Sequence, residues 1–319
     1  MKNITIIVPV FNESEVIPEF SRATKEILTR SSGRYRFEFL FIDDGSTDST
    51  NEQLVECFRD EVFRILKLSR NFGKEAALSA GIDNATGDAA IIMDVDLQDP
   101  PEIIEQFLEQ WQHGYQVVYG VRGVRKEDSL TKRISAEWFY RIFNLMSDIQ
   151  IPEHVGDFRL LDRSVILALQ QLPERTRFTK GLYAWAGFHA KGIAYERPSR
   201  KKGKTKWSYW KLWNLALDGI FSFSDKPLRV FTYLGAGISL ASLVYAMNTV
   251  IKAFFLGIET KGYASIITAV TFLGGLQLLF LGIMSEYIGR VFTESKNRPR
   301  YLIMGEINSN AQESGHKDK

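Results

Sequence analysis

Two aspartates separated by one residue follow an apolar segment in the stretch IIMDVDLQDPPE, residues 91–102. On an extended backbone, Asp94 and Asp96 would point to one side and Val95 to the other. Two carboxylates so close repel each other unless a cation lies between them, and Mg²⁺ and Mn²⁺ prefer sites built from oxygen ligands. The spacing is therefore consistent with a divalent metal site.

A purely structural interpretation of the same stretch is a strand end followed by a capped helix. Asp99 is typical of an N-cap, Pro100 suits the first helical position and Glu102 suits the first turn. An N-cap role explains Asp99 but leaves Asp94 and Asp96 without a role. Both interpretations stay open at this point.

The segments around these aspartates alternate between strand and helix patterns over residues 1–120. Runs such as ITIIVPV and FEFLFIDD are continuously apolar, which is typical of parallel strands buried on both faces. We therefore predict an α/β doubly wound sheet, in which ligands bind beyond the carboxyl ends of the strands. Four predicted strands end in polar residues, as a nucleotide pocket requires: PVFNE, DDGSTD, DVDLQD and YGVR.

Several classes of protein are disfavoured by what the sequence lacks. No GxGxxG follows the first strand and no GxxxxGK[ST] occurs, which argues against a Rossmann dehydrogenase and a P-loop enzyme. The single cysteine, Cys57, and the lack of a Cys/His cluster argue against zinc and favour a reducing compartment. The N-terminal segment MKNITIIVPVFNE fits a first strand rather than a signal peptide.

Two long uncharged segments occupy residues 230–251 and 262–285. Each can cross a hydrocarbon core of about 30 Å as a helix, which takes about 20 residues. Two core helices of a soluble protein are the alternative, but the Gly-, Ser- and Ala-rich composition and the short loop favour a membrane hairpin. Lys and Arg are concentrated outside the hairpin rather than in its loop, so we expect both termini and the N-terminal domain to be cytoplasmic.

Six segments in order resemble family 2 glycosyltransferases of the GT-A fold: IIVPVFNE, FIDDGSTDST, LSRNFGKEAALSAGI, MDVDLQDPPE, GDFRLLDR and ERTRF. The branch that matches best is membrane-bound and acts on polyprenyl phosphates; it includes bactoprenol glucosyltransferases and dolichyl-phosphate mannosyltransferases. The resemblance continues through both predicted membrane helices. Val95 stands where the family more commonly has alanine, which changes little for a side chain that faces away from a metal.

The resemblance implies a nucleotide-sugar site formed by Pro9, Phe11, Glu13, Ile42, Asp44, Asp94 and Lys206. Asp44 is expected to accept a hydrogen bond from the uracil imide, whereas Asp43 is expected to form the turn. The same resemblance makes Asp94, Asp96 and Gln98 ligands of Mg²⁺ or Mn²⁺, shared with the diphosphate oxygens. Such an ion offsets the charge that develops on the leaving nucleoside diphosphate.

A second anion site, for the acceptor phosphate, is implied at Arg122, Arg133, Ser135 and Arg200. Arg200 and Lys206 lie in the basic run ERPSRKKGKTKW, part of which could equally be a solvated linker attracted to acidic lipids. That interpretation is kept for Lys201 and Lys202. Nucleic acid is disfavoured as a partner because the run adjoins the membrane hairpin and no nucleic-acid-binding fold accompanies it.

The predicted catalytic residues are Asp96, Arg122 and Asp157. Asp157, in GDFRLLDR, corresponds to the base region of many inverting relatives. A hydroxyl acceptor would need a base, whereas a phosphate monoester is already ionised near neutral pH, its second pKa being about 6. Asp157 therefore either removes a proton or orients the sugar or the acceptor.

The expected organisation has four parts: a cytoplasmic GT-A domain over residues 1–206, an amphipathic juxtamembrane helix over 207–229, a two-helix membrane hairpin over 230–286 and a cytoplasmic tail over 287–319. Tryptophans recurring in residues 207–213, and a second stripe over 131–147, predict interfacial helices. The polar segment after Leu302 is predicted to be disordered.

Together with these features, the resemblance implies an inverting, metal-dependent hexosyltransferase of the bacterial inner membrane. It would move glucose from UDP-glucose onto undecaprenyl phosphate, giving a lipid-linked donor for surface glycans. Mannose or an amino-pentose are alternative sugars. A processive polysaccharide synthase is disfavoured because no QxxRW motif occurs, and a non-catalytic membrane scaffold because the metal and phosphate residues are present. A homo-oligomer is left open.

Overall fold

The computed structural model describes residues 1–123, 152, 155–172, 174–175, 177–196, 224, 226–256 and 262–309. The strands in these ranges are β1 Lys2–Val10, β2 Tyr35–Asp43, β3 Phe63–Leu68, β4 Ala89–Ile92, β5 Val117–Arg122, β6 Val155–Asp162, β7 Ala190–Tyr195 and β8 Ile303–Asn308. The helices are α1 Ile17–Ser31, α2 Thr50–Cys57, α3 Lys74–Asn84, α4 Ile103–Gln112, α5 Arg163–Gln170, α6 Thr179–Trp185, α7 Lys226–Leu256 and α8 Tyr263–Ser295.

The strands form one mixed sheet in the order β7-β5-β6-β4-β1-β2-β3-β8. Strands β1 to β4 are parallel, as predicted, but β6 lies between β4 and β5 and runs antiparallel to both. Strand β6 and its antiparallel pairing were not predicted from the sequence. Because β6 is antiparallel to both β4 and β5, those two strands run in the same direction, and β5 ends at the same edge as β1, β2 and β4. The first residues of β6 lie at that edge too.

Both faces of the sheet are buried, which explains the continuously apolar strands. The consecutive residues Ile6 and Ile7 are both fully buried because they point into different cores. Phe20 of α1 belongs to the first core, which α2 and α4 complete. Leu78 of α3 belongs to the second core, with α5 and α6. The doubly wound arrangement is thus confirmed, and it fixes the strand ends as a rigid platform.

Two long helices, α7 and α8, occupy the region predicted to form the hairpin, and both extend beyond the predicted spans. They meet through the rings of Phe231 and Phe280, whose centroids lie 5.0 Å apart. Within the described residues, one segment, Phe272–Ser295, is long and apolar enough to cross a membrane. Its large apolar side chains are exposed, Leu278 by 71% and Val291 by 68%.

The segment after Leu302 is ordered up to residue 308, so the prediction of disorder is wrong there. Strand β8 pairs antiparallel with β3, and Ile307 lies opposite Ile65. Arg300 forms an ion pair with Asp83 at 3.2 Å, and the carbonyl of Leu302 accepts from the backbone N–H of Ser69 at 2.9 Å. The chain therefore returns from α8 to the edge of the catalytic sheet.

The predicted interfacial helix over residues 131–147 lies outside the described residues. The predicted juxtamembrane helix over 207–229 is described only at Ser224 and from Lys226 onward, where the chain already belongs to α7. Ser224 is attached to α8, because its carbonyl accepts from the hydroxyl of Tyr287 at 2.9 Å.

Candidate active site

The candidate site lies at the sheet edge where β1, β2, β4 and β5 end and β6 begins. The loops after β1 and β2 are held together by Asn12, whose side-chain oxygen accepts from the backbone N–H of Thr47 at 2.8 Å. The N–H of Asn12 donates in turn to Ser46 Oγ at 3.0 Å. Phe11 at this edge is 39% exposed, whereas Ile42 is fully buried in the core beneath it. Pro9 lies opposite Ile42 in the β1–β2 register.

Asp43 and Asp44 have different partners, and Asp43 forms the turn as predicted. Asp43 accepts from the backbone N–H of Ser46 at 2.8 Å and from Asn51 Nδ2 at 2.7 Å, so it stabilises the turn. Asp44 accepts from the N–H groups of Phe72 and Gly73, at 2.7 and 2.9 Å, which tie the start of α3 to the end of β2. Burial raises the pKa of Asp44 despite these hydrogen bonds.

Gly45 allows this approach of the two loops. A Cβ at Gly45 would stand 2.7 Å from the backbone carbon of Arg70, and its φ of +78° is in the left-handed region that favours glycine. The loop that precedes α3 can therefore lie directly on the turn after β2. This contact brings Lys74, the first residue of α3, to the carboxyl end of the sheet.

The two aspartates of the DVD sequence lie beyond the strand, Asp94 just before a turn and Asp96 within it. Strand β4 ends at Ile92, and Leu97 has a φ of +53°. The prediction that this stretch is an extended strand is therefore wrong. The prediction that Val95 points away from the two aspartates is nevertheless correct. Val95 is 4% exposed and packs in the core, while Asp94 and Asp96 are partly exposed at the site.

Asp99 does not cap α4, which corrects the sequence prediction. Helix α4 begins at Ile103, with Glu102 at the N-cap position. Asp99 is 1% exposed and accepts a short hydrogen bond from the hydroxyl of Tyr195. The same carboxylate oxygen lies 3.5 Å from Arg122 Nη2. A buried carboxylate needs a cation or donors near it, and Arg122 and Tyr195 supply both.

Arg122 lies at the end of β5, between Asp99 and the start of β6. Its Nε is 3.4 Å from the hydroxyl of Tyr195, on β7. Burial is the largest single influence and lowers the pKa of Arg122, but the charge of Asp99 and the hydrogen bond to Tyr195 together outweigh it, so this pKa lies above its ordinary value. Burial also raises the pKa of Tyr195, and the neighbouring Asp99 raises it further. At neutral pH the cluster therefore holds a charged guanidinium and a neutral phenol.

Lys74 bridges the two halves of the site. Its ammonium nitrogen lies 2.8 Å from Asp94 Oδ1 and 2.7 Å from Asp157 Oδ2. Partial desolvation lowers the pKa of Lys74, but the charges of Asp94 and Asp157 more than offset this, so the pKa is raised. The amine is therefore fully protonated at neutral pH.

Asp157 is the third residue of β6, which begins at this edge because it runs antiparallel to its neighbours. Burial would raise the pKa of Asp157, but Lys74 and then Lys180 hold it well below its usual range. The backbone that carries Asp157 is fixed by Arg159, which donates to the carbonyl of Gly156 at 2.7 Å and stacks on the ring of Tyr183 at 3.8 Å.

Two of the three residues predicted to bind a metal ion, Asp96 and Gln98, contact each other. Asp96 accepts from the backbone N–H of Gln98 at 3.2 Å and from its side-chain amide at 2.7 Å. In the described part of the chain, no group of three or more His, Cys, Asp or Glu side chains forms a ready-made metal site. Two carboxylates and an amide oxygen nevertheless fit Mg²⁺ or Mn²⁺, which commonly take one or two carboxylates and complete their shell with substrate phosphates and water.

Four predicted site residues lie outside the described residues: Arg133, Ser135, Arg200 and Lys206. Glu13 is described at the predicted edge, where its N–H donates to Thr50 Oγ1 at 3.0 Å. The roles predicted for all these residues stay predictions.

Sequence reasoning assigned no role to Lys74, Lys180 or Tyr195. Lys74 lies within the segment LSRNFGKEAALSAGI. The available signal was a basic residue at the first position of a helix that follows a strand end. Tyr195 and Lys180 carry no local signal, because they reach the site only through the pairing of β7 with β5 and the packing of α6 on β6.

Known proteins resemble this chain over nearly its whole length. A family model described as Glycosyl transferase family 2 matches residues 5–169, and one described as GtrB C-terminal hairpin matches residues 226–291. An uncharacterized glycosyltransferase of Synechocystis sp. is 48% identical over 301 residues, which cover 94% of this chain and 94% of that protein. A bactoprenol glucosyl transferase of Shigella phage SfV is 45% identical over 305 residues, which cover 95% of this chain and 98% of that protein.

Solved structures are more distant in sequence. A glucosyl-3-phosphoglycerate synthase from Mycobacterium tuberculosis, solved with Mn²⁺, UDP-glucose and phosphoglyceric acid, aligns with a TM-score of 0.46 and 14% identity. The alignment covers 69% of this chain and 79% of that one.

Proposed function

This chain belongs to glycosyl transferase family 2, and on that premise we propose that it transfers glucose from UDP-glucose to a polyprenyl phosphate such as undecaprenyl phosphate. A relative named bactoprenol glucosyl transferase, 45% identical over nearly the whole chain, supports this sugar and acceptor. The observation that carries the proposal is the convergence of Asp94, Asp157 and Arg122 at one sheet edge. Carboxylates for a metal-bound sugar nucleotide and a guanidinium for a second phosphate are both available there.

The nucleotide would lie over the loops after β1 and β2. The exposed ring of Phe11 and the carboxylate of Asp44 face this edge, with Pro9 and Glu13 beside them. A divalent cation held by Asp94, Asp96 and Gln98 would offset the charge on the leaving diphosphate. Lys206 completes the set proposed for the nucleotide sugar.

The transfer needs one bond to form and one to break. An oxygen of the acceptor phosphate attacks C1 of the sugar, and the bond from C1 to the diphosphate breaks, with inversion at C1 and release of UDP. The acceptor phosphate is already ionised near neutral pH. The depressed pKa of Asp157 makes its carboxylate a weak base, so we assign Asp157 to orienting the sugar or the acceptor rather than to removing a proton.

Arg122 is proposed to bind the acceptor phosphate, together with Arg133, Ser135 and Arg200. A guanidinium offers a planar pair of N–H donors that fits two phosphate oxygens. Arg122 lies against Gly156, the residue before Asp157, so a phosphate bound to Arg122 would be next to the proposed sugar site.

The helices α7 and α8 are proposed to cross the membrane as a pair. Helix α7 has 31 residues and α8 has 33, and 20 residues already span about 30 Å. Strand β8 follows α8 and lies in the catalytic sheet. The chain therefore leaves the sheet and returns to it on one side, which requires an even number of crossings. The positive residues outside the hairpin support a cytoplasmic location for that side.

The test uses the purified full-length protein in detergent with undecaprenyl phosphate and a panel of nucleotide sugars. Mass spectrometry of the lipid is expected to show one added hexose with UDP-glucose. Transfer of mannose or an amino-pentose instead would correct the sugar, and no product with any donor would reject the proposal. Excess chelator is expected to abolish transfer; full activity in chelator would reject the metal.

A further inference from the structure

Lys74 has contacts that the proposed reaction does not use. Its ammonium nitrogen lies 2.8 Å from both oxygens of Asp94 and 2.7 Å from Asp157. We propose that Lys74 is a positioning residue that occupies Asp94 while no nucleotide is bound and releases it when a divalent cation arrives with the sugar nucleotide. The inference rests on the proposed function, because it takes Asp94 to be a ligand of that cation.

The first step concerns the two oxygens of Asp94. An ammonium equidistant from both oxygens occupies the direction from which a metal would bind. A lysine ammonium and a divalent cation on the same carboxylate would also repel each other strongly at such short distances. Metal binding at Asp94 therefore requires Lys74 to move away. Asp96 differs, because its partners include the neutral side chain of Gln98.

The second step concerns the freedom of Lys74 to move. Its side chain is 43% exposed and consists of a flexible four-carbon stem. Lys74 also contacts Asp157 Oδ2, so leaving Asp94 does not require it to lose every carboxylate partner. Asp157 also has Lys180 nearby, at 3.9 Å. Release of Asp94 therefore does not leave Asp157 without a cation.

The third step links Lys74 to the nucleotide. The two residues before it, Phe72 and Gly73, donate their backbone N–H groups to Asp44, which is proposed to bind the base. A nucleotide at Asp44 therefore acts on the residues that carry Lys74. The negative charge of the nucleotide diphosphate attracts both the metal ion and the displaced ammonium group. The expected consequence is that Mn²⁺ binds weakly to the free enzyme and tightly only with nucleotide.

The experiment measures Mn²⁺ binding to the full-length protein by the electron paramagnetic resonance signal of free Mn²⁺, with and without UDP. Without UDP, Lys74→Met is expected to bind Mn²⁺ about 10-fold more tightly than wild type, the lower end of the effect that groups around a metal site have on affinity. Lys74→Arg keeps the charge and is expected to bind as weakly as wild type. Lys180→Met is the matched control, because it removes a cation beside Asp157 that does not contact Asp94.

Equal or weaker Mn²⁺ binding by Lys74→Met, in protein whose circular dichroism and melting temperature match wild type, would overturn the inference. An equal gain in Lys180→Met would also overturn it, because the effect would then be a general change in charge. If wild type binds Mn²⁺ with UDP but Lys74→Met shows no gain, the proposed metal site stands and this inference alone fails. If no variant binds Mn²⁺ even with UDP, both fail.

Discussion

Arg122 lies across the backbone of Gly156. A Cβ at Gly156 would stand 2.5 Å from Nη2 and 2.8 Å from Cζ of Arg122. No other amino acid could occupy position 156 without moving the guanidinium, because every other side chain begins with that atom. The strand that carries Asp157 therefore also sets the position of Arg122, and a single glycine joins the proposed acceptor-phosphate site to the proposed sugar site.

Gly156→Ala is expected to displace Arg122 and to slow transfer about 100-fold, the size of loss that a misplacement of about 1 Å can cause. The melting temperature should change little, because the group that must move is the end of a flexible side chain. Transfer assays and thermal melts in detergent measure the two effects. Gly33→Ala is the control, since a Cβ at Gly33 would meet nothing within 4 Å. Full activity of Gly156→Ala would show that the position of Arg122 is not critical.

Tyr195→Phe removes the hydroxyl that donates to Asp99 and lies 3.4 Å from Arg122 Nε. Arg122 is then expected to turn further toward Asp99 and to bind the acceptor less well. We expect a higher KM for the lipid phosphate and unchanged affinity for UDP, measured by steady-state kinetics and calorimetry. Tyr301→Phe is the matched control, because its hydroxyl contacts Asp83, away from the site. A loss of UDP binding in Tyr195→Phe would contradict the assignment of this cluster to the acceptor.

If α7 and α8 cross the membrane as a hairpin, two positions in the chain should lie on opposite sides of the membrane. A reporter fused after Lys319 is expected to be cytoplasmic, and one inserted near Glu259, which lies between α7 and α8 in the sequence, is expected to be external. Paired fusions to alkaline phosphatase and green fluorescent protein measure both. Cytoplasmic signals from both positions would mean that the helices do not cross the membrane.

The stability of the fold is expected to depend on pH through Asp162, which lies outside the candidate site. Partial burial acts to raise the pKa of Asp162, but hydrogen bonds from Ser164 and Trp111 lower it below its usual value. A depressed carboxylate pKa stabilises the fold above the unfolded value of about 3.9, and this stabilisation is lost as pH falls through the folded value. Asp162→Ala, which also removes the N-cap of α5, is expected to cost about 1 kcal/mol at pH 7.

Asp162→Asn separates the charge from the cap. Its side-chain oxygen can still accept from the N–H of Ser164, so this variant should be less destabilised than Asp162→Ala at neutral pH. The advantage of wild type over Asp162→Asn should disappear in acid, where Asp162 is protonated and resembles asparagine. Melting temperatures of the three proteins from pH 7 down to the acid limit of the fold measure this. A constant difference at all pH values would contradict the depressed pKa.

The sequence by itself determined the features that depend on local pattern. Continuously apolar runs such as residues 6–10 of β1 indicated a sheet buried on both faces, because a strand segment that is apolar at every residue must be covered on both sides. The polar ends of β1, β2, β4 and β5 located the site, since parallel strands bring their carboxyl ends to one edge. The motif formed by Asp94 and Asp96 was recognisable because only one residue separates them in the chain.

Only the tertiary structure decided which distant residues meet. The antiparallel β6 brings Asp157 to the edge, and α3 brings Lys74 between Asp157 and Asp94. Tyr195 satisfies Asp99, which the local pattern had assigned to a helix cap. Strand β8, whose short sequence IMGEIN mixes apolar and polar residues, attaches the end of the chain to the sheet by pairing with the distant β3. Hydrophobic periodicity and capping rules report on neighbours within a few residues, whereas ion pairs, buried hydrogen bonds and edge pairing are set by the packing of segments far apart in the chain.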